Sequence, residues 1–194
     1  MRFVTTLLIT ATTLAAQSLT GTWYSEERSK GGIGALYKFQ PQGKAHFSPS
    51  AIVEYTYRIE GTQLTLTPPT GPEETLQITT INAQTLKLKA PQGDLTYRRV
   101  SGKDPNSITG KWTFTTQMEG RPITNNWNFR PDGTAILTVP FTWQAGTYAV
   151  TSDKNIRIAL GSRPPIRGSF TWDGEVLVLP NAKGTGHHRY RRLE

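Results

Sequence analysis

Apolar and polar residues alternate along most of this chain. Val53, Tyr55, Tyr57 and Ile59 fall on one face of an extended segment, with Glu54, Thr56 and Arg58 on the other. Leu64 and Leu66, Leu76 and Ile78, Leu86 and Leu88, and Leu95 and Tyr97 continue the two-residue period. Turn-forming residues separate these runs every 8–12 positions or so: Gln40-Pro41-Gln42-Gly43, Glu60-Gly61-Thr62 and Pro68-Pro69-Thr70-Gly71-Pro72. No segment sustains a helical period. The pattern predicts about eight short antiparallel strands over the first 83 or so residues after position 17.

The pattern then repeats. Ser18-Leu19-Thr20-Gly21-Thr22-Trp23 returns as Ser107-Ile108-Thr109-Gly110-Lys111-Trp112. Both copies run to the same tripeptide, Tyr97-Arg98-Arg99 and Tyr190-Arg191-Arg192. Between them Phe129 answers Phe39, Gly133 answers Gly43, Tyr148 answers Tyr57, and Leu177 and Leu179 answer Leu86 and Leu88. The chain therefore reads as an all-β protein of two tandem small antiparallel up-and-down barrels, about eight strands each. Unit one spans 18–100, a polar linker 101–106 and unit two 107–194. Closure removes the exposed edges that make open sheets prone to aggregate. The alternative is one larger closed sheet made by both repeats. Two polar segments, 27–34 and 115–126, are predicted as long first loops and are candidate binding elements.

Residues 1–17 read as a secretory signal: Arg2, a short apolar stretch from Phe3, then small residues at Ala15-Ala16. The implied location is the periplasm or the extracellular space. With no cysteine, neither a disulfide nor a lipidated N-terminal Cys is available. No apolar run reaches transmembrane length. The net charge is +8, and the second half is the more basic one: residues 101–194 carry twelve Lys and Arg against seven acids, where residues 18–100 carry nine against seven. That balance suits an anionic envelope component. Nucleic acid is not expected, because no aromatic-basic recognition signature is present.

The Gly-x-Trp at the start of strand one, the meander and the Arg on the last strand resemble the lipocalin and calycin superfamily, and in particular short bacterial lipocalin-like domains. The resemblance implies that Trp23 and Trp112 plug the barrels. Each would lie under an arginine of its own unit, Arg98 or Arg99 for the first and Arg191 or Arg192 for the second, with Gly21 and Gly110 opening the strands. A guanidinium over an indole face is worth about 0.5–2 kcal/mol. The resemblance also implies a non-catalytic protein that binds a small apolar or amphipathic molecule at a barrel mouth. Tyr37, Tyr55, Tyr57, Trp127, Trp143 and Tyr148 are the candidate ligand-contacting residues, read against the alternative that they simply fill the cores.

Catalytic and metal chemistry find little support in the sequence. His46 stands alone in a predicted strand. His187 and His188 are neighbours, so on a strand they point to opposite faces and cannot share one metal. Glu26-Glu27 and Glu73-Glu74 are adjacent pairs, whereas acid–base pairs usually converge from different strands. No cofactor, metal or enzymatic activity is expected. The competing reading of the whole chain is a structural or protein-interaction module of the cell envelope, with filled barrels and no small ligand.

Overall fold

A computed structural model of the chain describes residues 18–91, 93–118, 120–151 and 154–193. The expected signal segment, 1–17, lies outside the described residues. Sixteen strands form one continuous antiparallel hydrogen-bonded network.

Unit one supplies β1 (Gly21–Ser25), β2 (Ile33–Gln40), β3 (Lys44–Glu60), β4 (Gln63–Thr67), β5 (Glu74–Ile81), β6 (Thr85–Ala90) and β7 (Gly93–Ser101). Unit two supplies β8 (Gly110–Met118), β9 (Arg121–Phe129), β10 (Thr134–Pro140), β11 (Gln144–Val150), β12 (Asn155–Leu160), β13 (Ile166–Ser169), β14 (Thr171–Asp173), β15 (Val176–Pro180) and β16 (His187–Arg192).

Strands β3 to β10 close an eight-stranded antiparallel barrel. Each pairs with the next in sequence, and β10 returns to β3 through Thr134↔Thr56 to Pro140↔Ser50. Its inward residues are those the two-residue period marks: Leu64, Leu66, Leu76, Leu86, Leu88, Tyr97, Trp112, Trp127 and Phe129, all buried. The repeat boundary runs through this barrel. The segment 101–106, expected to join two separate units, connects β7 to β8, and these strands pair through Arg98↔Thr113 and Arg99↔Trp112.

The other eight strands, with the first part of β3, curl around a second core of Trp23, Tyr37, Phe39, Ile156, Ile158, Leu177, Leu179 and Tyr190. Here β1 pairs with β16, not with β7 (Trp23↔Arg192), and β11 pairs with β3 (Gln144↔Phe47). Segment 166–173 changes partner at Phe170. Before it β13 pairs with β12, and after it β14 pairs with β15. A third small core of Tyr24, Leu36, Ile52, Ile136 and Leu193 joins the two assemblies.

Two local expectations are corrected. The runs around Lys44 and Val53, read as separate strands, form the single 17-residue β3. Its first part carries Ala45 and Phe47 to the second core, and its last part carries Tyr55 and Tyr57 to the barrel. Between them Ser48 and Ser50 are fully buried and donate to the nearby carbonyls of Pro49 and Ser48. Segment 115–126, read as a loop, lies almost wholly within the hairpin of β8 and β9, paired from Thr115↔Thr124 to Met118↔Arg121. Thr115, Gln117, Thr124 and Asn126 fall on the face opposite Trp112 and Trp127.

Candidate functional site

Both Gly-x-Trp motifs build plugs, and the two plugs match atom for atom. Trp23 Nε1 donates to the Leu19 carbonyl at 2.8 Å, and Trp112 Nε1 to the Ile108 carbonyl at 2.7 Å. Both indoles are buried, at 1% and 0% exposure. Gly110 needs to be glycine because its φ is +130° and a Cβ would sit 2.2 Å from the Ser101 carbonyl oxygen.

The arginine partners are exchanged relative to expectation. Arg192 lies 4.5 Å from the Trp23 ring and Arg99 lies 4.0 Å from the Trp112 ring. Each arginine comes from the other repeat, because β1 closes against β16 and β8 against β7. Arg99 donates to the carbonyls of Ser107 at 2.8 Å and Pro105 at 3.1 Å, and also reaches Asn82 and Thr109. Arg192 donates to the carbonyls of Thr20 at 2.9 Å and Ser18. Arg98 points outward and is exposed. Arg191 does not stack on the indole: its Nε bonds to Glu26 at 2.6 Å.

The six candidate ligand residues do not converge. Tyr55, Tyr57 and Trp127 pack inside the barrel, with Tyr55–Trp127 and Tyr57–Phe129 ring centroids each 5.1 Å apart. Tyr37 and Tyr148 pack in the second core, against Phe47 at 5.1 Å and Phe39 at 4.9 Å respectively. Burial drives the Tyr37 phenol up to about 12 and that of Tyr190 well above its ordinary value, as for hydroxyls enclosed by rings. Trp143 alone stands apart, 44% exposed.

Trp143 borders a groove of about 530 Å³ between the outer faces of the two strand assemblies. Val100 at 58% and Phe141 at 53% exposure share its rim. They are the two most exposed of the large hydrophobics in the described residues. Lys38 on β2 and Lys111 on β8 line the same groove. Asn126, Asn128 and Thr138 also line it, and Asn128 Nδ2 donates to the Leu193 carbonyl. Alternation explains the composition. On β8 and β9 the residues between inward Trp112, Trp127 and Phe129 face outward, so Lys111, Asn126 and Asn128 fall on the groove side. Sequence reading missed Val100, Lys38 and Lys111 because the groove exists only where two outer faces meet.

Charged residues elsewhere form a network at the β16 edge. Glu26 accepts from Arg189 at 2.7 Å and Arg191 at 2.6 Å, and Arg189 also reaches Asp173 at 2.9 Å. The bond from Arg191 and its charge hold the Glu26 carboxyl below the usual carboxylate range, as does Arg189, against a partial burial that works the other way. His188 Nδ1 lies 3.7 Å from Glu27, and His46 faces Gln40 and Trp143. Among the described residues no three His, Cys, Asp or Glu side chains converge as metal ligands, and no helix is long and apolar enough to cross a membrane. Comparison with protein-family models, with curated proteins and with solved structures finds no match.

Proposed function

We propose that this is an exported, non-catalytic binding protein that takes an anionic amphipathic molecule in the groove between its two strand assemblies. In this reading the second assembly is a second, less regular barrel, its fifth strand broken at Phe170, and the chain is a duplicated lipocalin-like unit. The repeated Gly-x-Trp motif and the matched plugs support it. The cores are filled by stacked and tilted rings, which argues for a site outside them.

The observation that carries the reading is the grouping of exposed Val100, Phe141 and Trp143 with Lys38 and Lys111 around one groove. Scattered exposed apolar residues need no explanation, but three beside two lysines on a concave surface do. An acyl or ring system would cover the apolar rim while its acidic head meets the lysines. The test is a titration of the purified protein with laurate and with dodecyltrimethylammonium below their micellar concentrations. Trp143 emission should shift to the blue with laurate only, and the response should vanish in Trp143→Phe. A Lys38→Glu, Lys111→Glu variant should weaken laurate binding at least tenfold, about 1.4 kcal/mol. Equal response to both amphiphiles would refute the charge selection, and no response to either would favour the structural module.

A further inference from the structure

At the plugged end of the second assembly lies another pocket, about 590 Å³, bordered by Trp23, Trp172, Arg130, Arg191, Arg192 and Glu175. It is separate from the groove, and the two share no lining residue. Trp172 on β14 tilts against Trp23 with centroids 5.4 Å apart. Arg130 is fixed: its Nη2 donates to the Arg192 carbonyl at 2.8 Å, and its own carbonyl accepts from the Tyr57 hydroxyl at 2.7 Å. Arg192 is held by carbonyls and by the Trp23 face. Among the described residues no carboxylate pairs with Arg130 or Arg192, whereas Arg189 and Arg191 share Glu26.

The equivalent end of the closed barrel lacks these groups. Gln40 follows Phe39 where Arg130 follows Phe129. Ile81 pairs with Leu86 where Trp172 pairs with Leu177. Plug formation therefore requires neither Arg130 nor Trp172, because the barrel makes its plug without their counterparts. Their joint presence needs a separate account. Among the described residues neither of these ordered guanidiniums makes an ion pair with a carboxylate, although the Arg130 charge reaches Asp132, and together they form a forked donor set suited to an oxyanion. An indole pair beside them offers a face for a planar ring.

We propose that this pocket binds a small planar aromatic oxyanion, with its ring against Trp172 and its carboxylate or phosphate between Arg130 and Arg192. Glu175, on the exposed rim, opposes the ligand charge and limits affinity.

The test uses the full chain, ¹⁵N-labelled, titrated with 2-naphthoate, 2-naphthyl phosphate, 2-naphthyl-trimethylammonium and inorganic phosphate. Both naphthyl anions should shift the Trp23 and Trp172 indole N–H signals and leave that of Trp143 in place, which separates this site from the groove. The tighter of the two identifies the headgroup. Arg130→Gln and Trp172→Ile, which install the other unit's residues, should each weaken binding at least about tenfold. Glu175→Gln, at an exposed position, should tighten it. The proposal is overturned if the two indole signals do not move, if folded Arg130→Gln binds as the parent does, if Glu175→Gln leaves affinity unchanged, or if the cation or inorganic phosphate binds as tightly as the naphthyl anions.

Discussion

Arg99 and Trp112 provide the sharpest test of how the two repeats close. Replacing Arg99 by Ala removes a guanidinium 4.0 Å from the Trp112 ring centre and its bonds to four backbone carbonyls. The cation–π contact contributes about 0.5–2 kcal/mol. The bonds to Asn82 and Pro105 are exposed, so water replaces them at small cost. The part-buried bond to Ser107 at 2.8 Å comes from a charged donor and is worth roughly 1.5–3 kcal/mol. The sum is roughly 2–5 kcal/mol, a large fraction of the 5–15 kcal/mol typical of a folded chain. Arg98→Ala, one residue away and exposed, should cost less than about 0.5 kcal/mol.

Urea unfolding followed by far-UV circular dichroism measures both, provided the slope with denaturant is unchanged. The decisive measurement is a pair of double-mutant cycles, run with an excluded osmolyte to keep the double variants folded. Arg99→Ala with Trp112→Leu should show a coupling of about 1 kcal/mol, the share belonging to the cation–π contact. Arg99→Ala with Trp23→Leu should be additive within about 0.3–0.5 kcal/mol. Arg192 should behave in mirror fashion, coupled to Trp23 and additive with Trp112. If Arg99 couples to Trp23 instead, each repeat closes on itself and the exchanged topology is wrong.

Three further outcomes follow from the same geometry. A protease site inserted between Lys103 and Asp104 and then cut should leave the halves co-eluting on size exclusion in native buffer, because β1–β16 and β3–β10 hold them together; separation without denaturant would contradict the pairing. Glu26 has a folded-state pKa below its unfolded value, chiefly through Arg191, so its contribution is present above the ordinary carboxylate range and lost as pH falls through the depressed value; Glu26→Gln should flatten the acid limb of a thermal-stability profile, and an unchanged limb would remove Glu26 from the account. Gly146→Ala places a Cβ 1.9 Å from the Ala159 carbonyl oxygen, so it should destabilise by more than about 2 kcal/mol, whereas Gly61→Ala, strained at φ +60° but in open space, should cost about 1–2 kcal/mol by the same unfolding assay.

Much of the strand content was legible in the sequence, because burial alternates with the two-residue period in strands such as β6 and β12, although Ile59, on the predicted inward face, is exposed. Leu64, Leu66, Leu86, Leu88 and Tyr97 were marked as inward and are buried. The plugs were anticipated too, through the resemblance that the repeated Gly-x-Trp and the last-strand arginines carry. Which arginine serves which tryptophan was not legible. Both repeats end in Tyr-Arg-Arg, so the local sequence is the same for either partner, and only long-range pairing decides. The candidate ligand residues carried two readings for a different reason. Aromatic residues on an inward face look alike whether they line a void or fill a core, and here Tyr55, Trp127 and Phe129 fill it. The groove escaped notice because outward-facing Lys38, Lys111 and Val100 read as ordinary surface until the two assemblies are placed side by side.

The exchange itself has a local cause in β3. Seventeen extended residues span roughly 55 Å, more than one wall of a small barrel uses, so the strand leaves one core and enters the other. Within its first part lies Pro49, paired opposite Ala35. A proline biases the preceding residue toward extended geometry, so Ser48 is held in line instead of turning. Buried Ser48 and Ser50 satisfy their own hydroxyls on adjacent carbonyls and add no bulk at the crossing. The second repeat carries Pro140 at the end of β10, and the Phe141 N–H just after it bonds to the Pro49 carbonyl at 3.0 Å. The two crossings thus touch each other. A turn at either proline would fold its own repeat shut. The two crossings, one a continuous strand and the other passing through residues 141–143 between β10 and β11, commit the first three strands of each repeat to the other's closure, and they set the outer faces against each other to form the groove that holds Phe141 and Trp143.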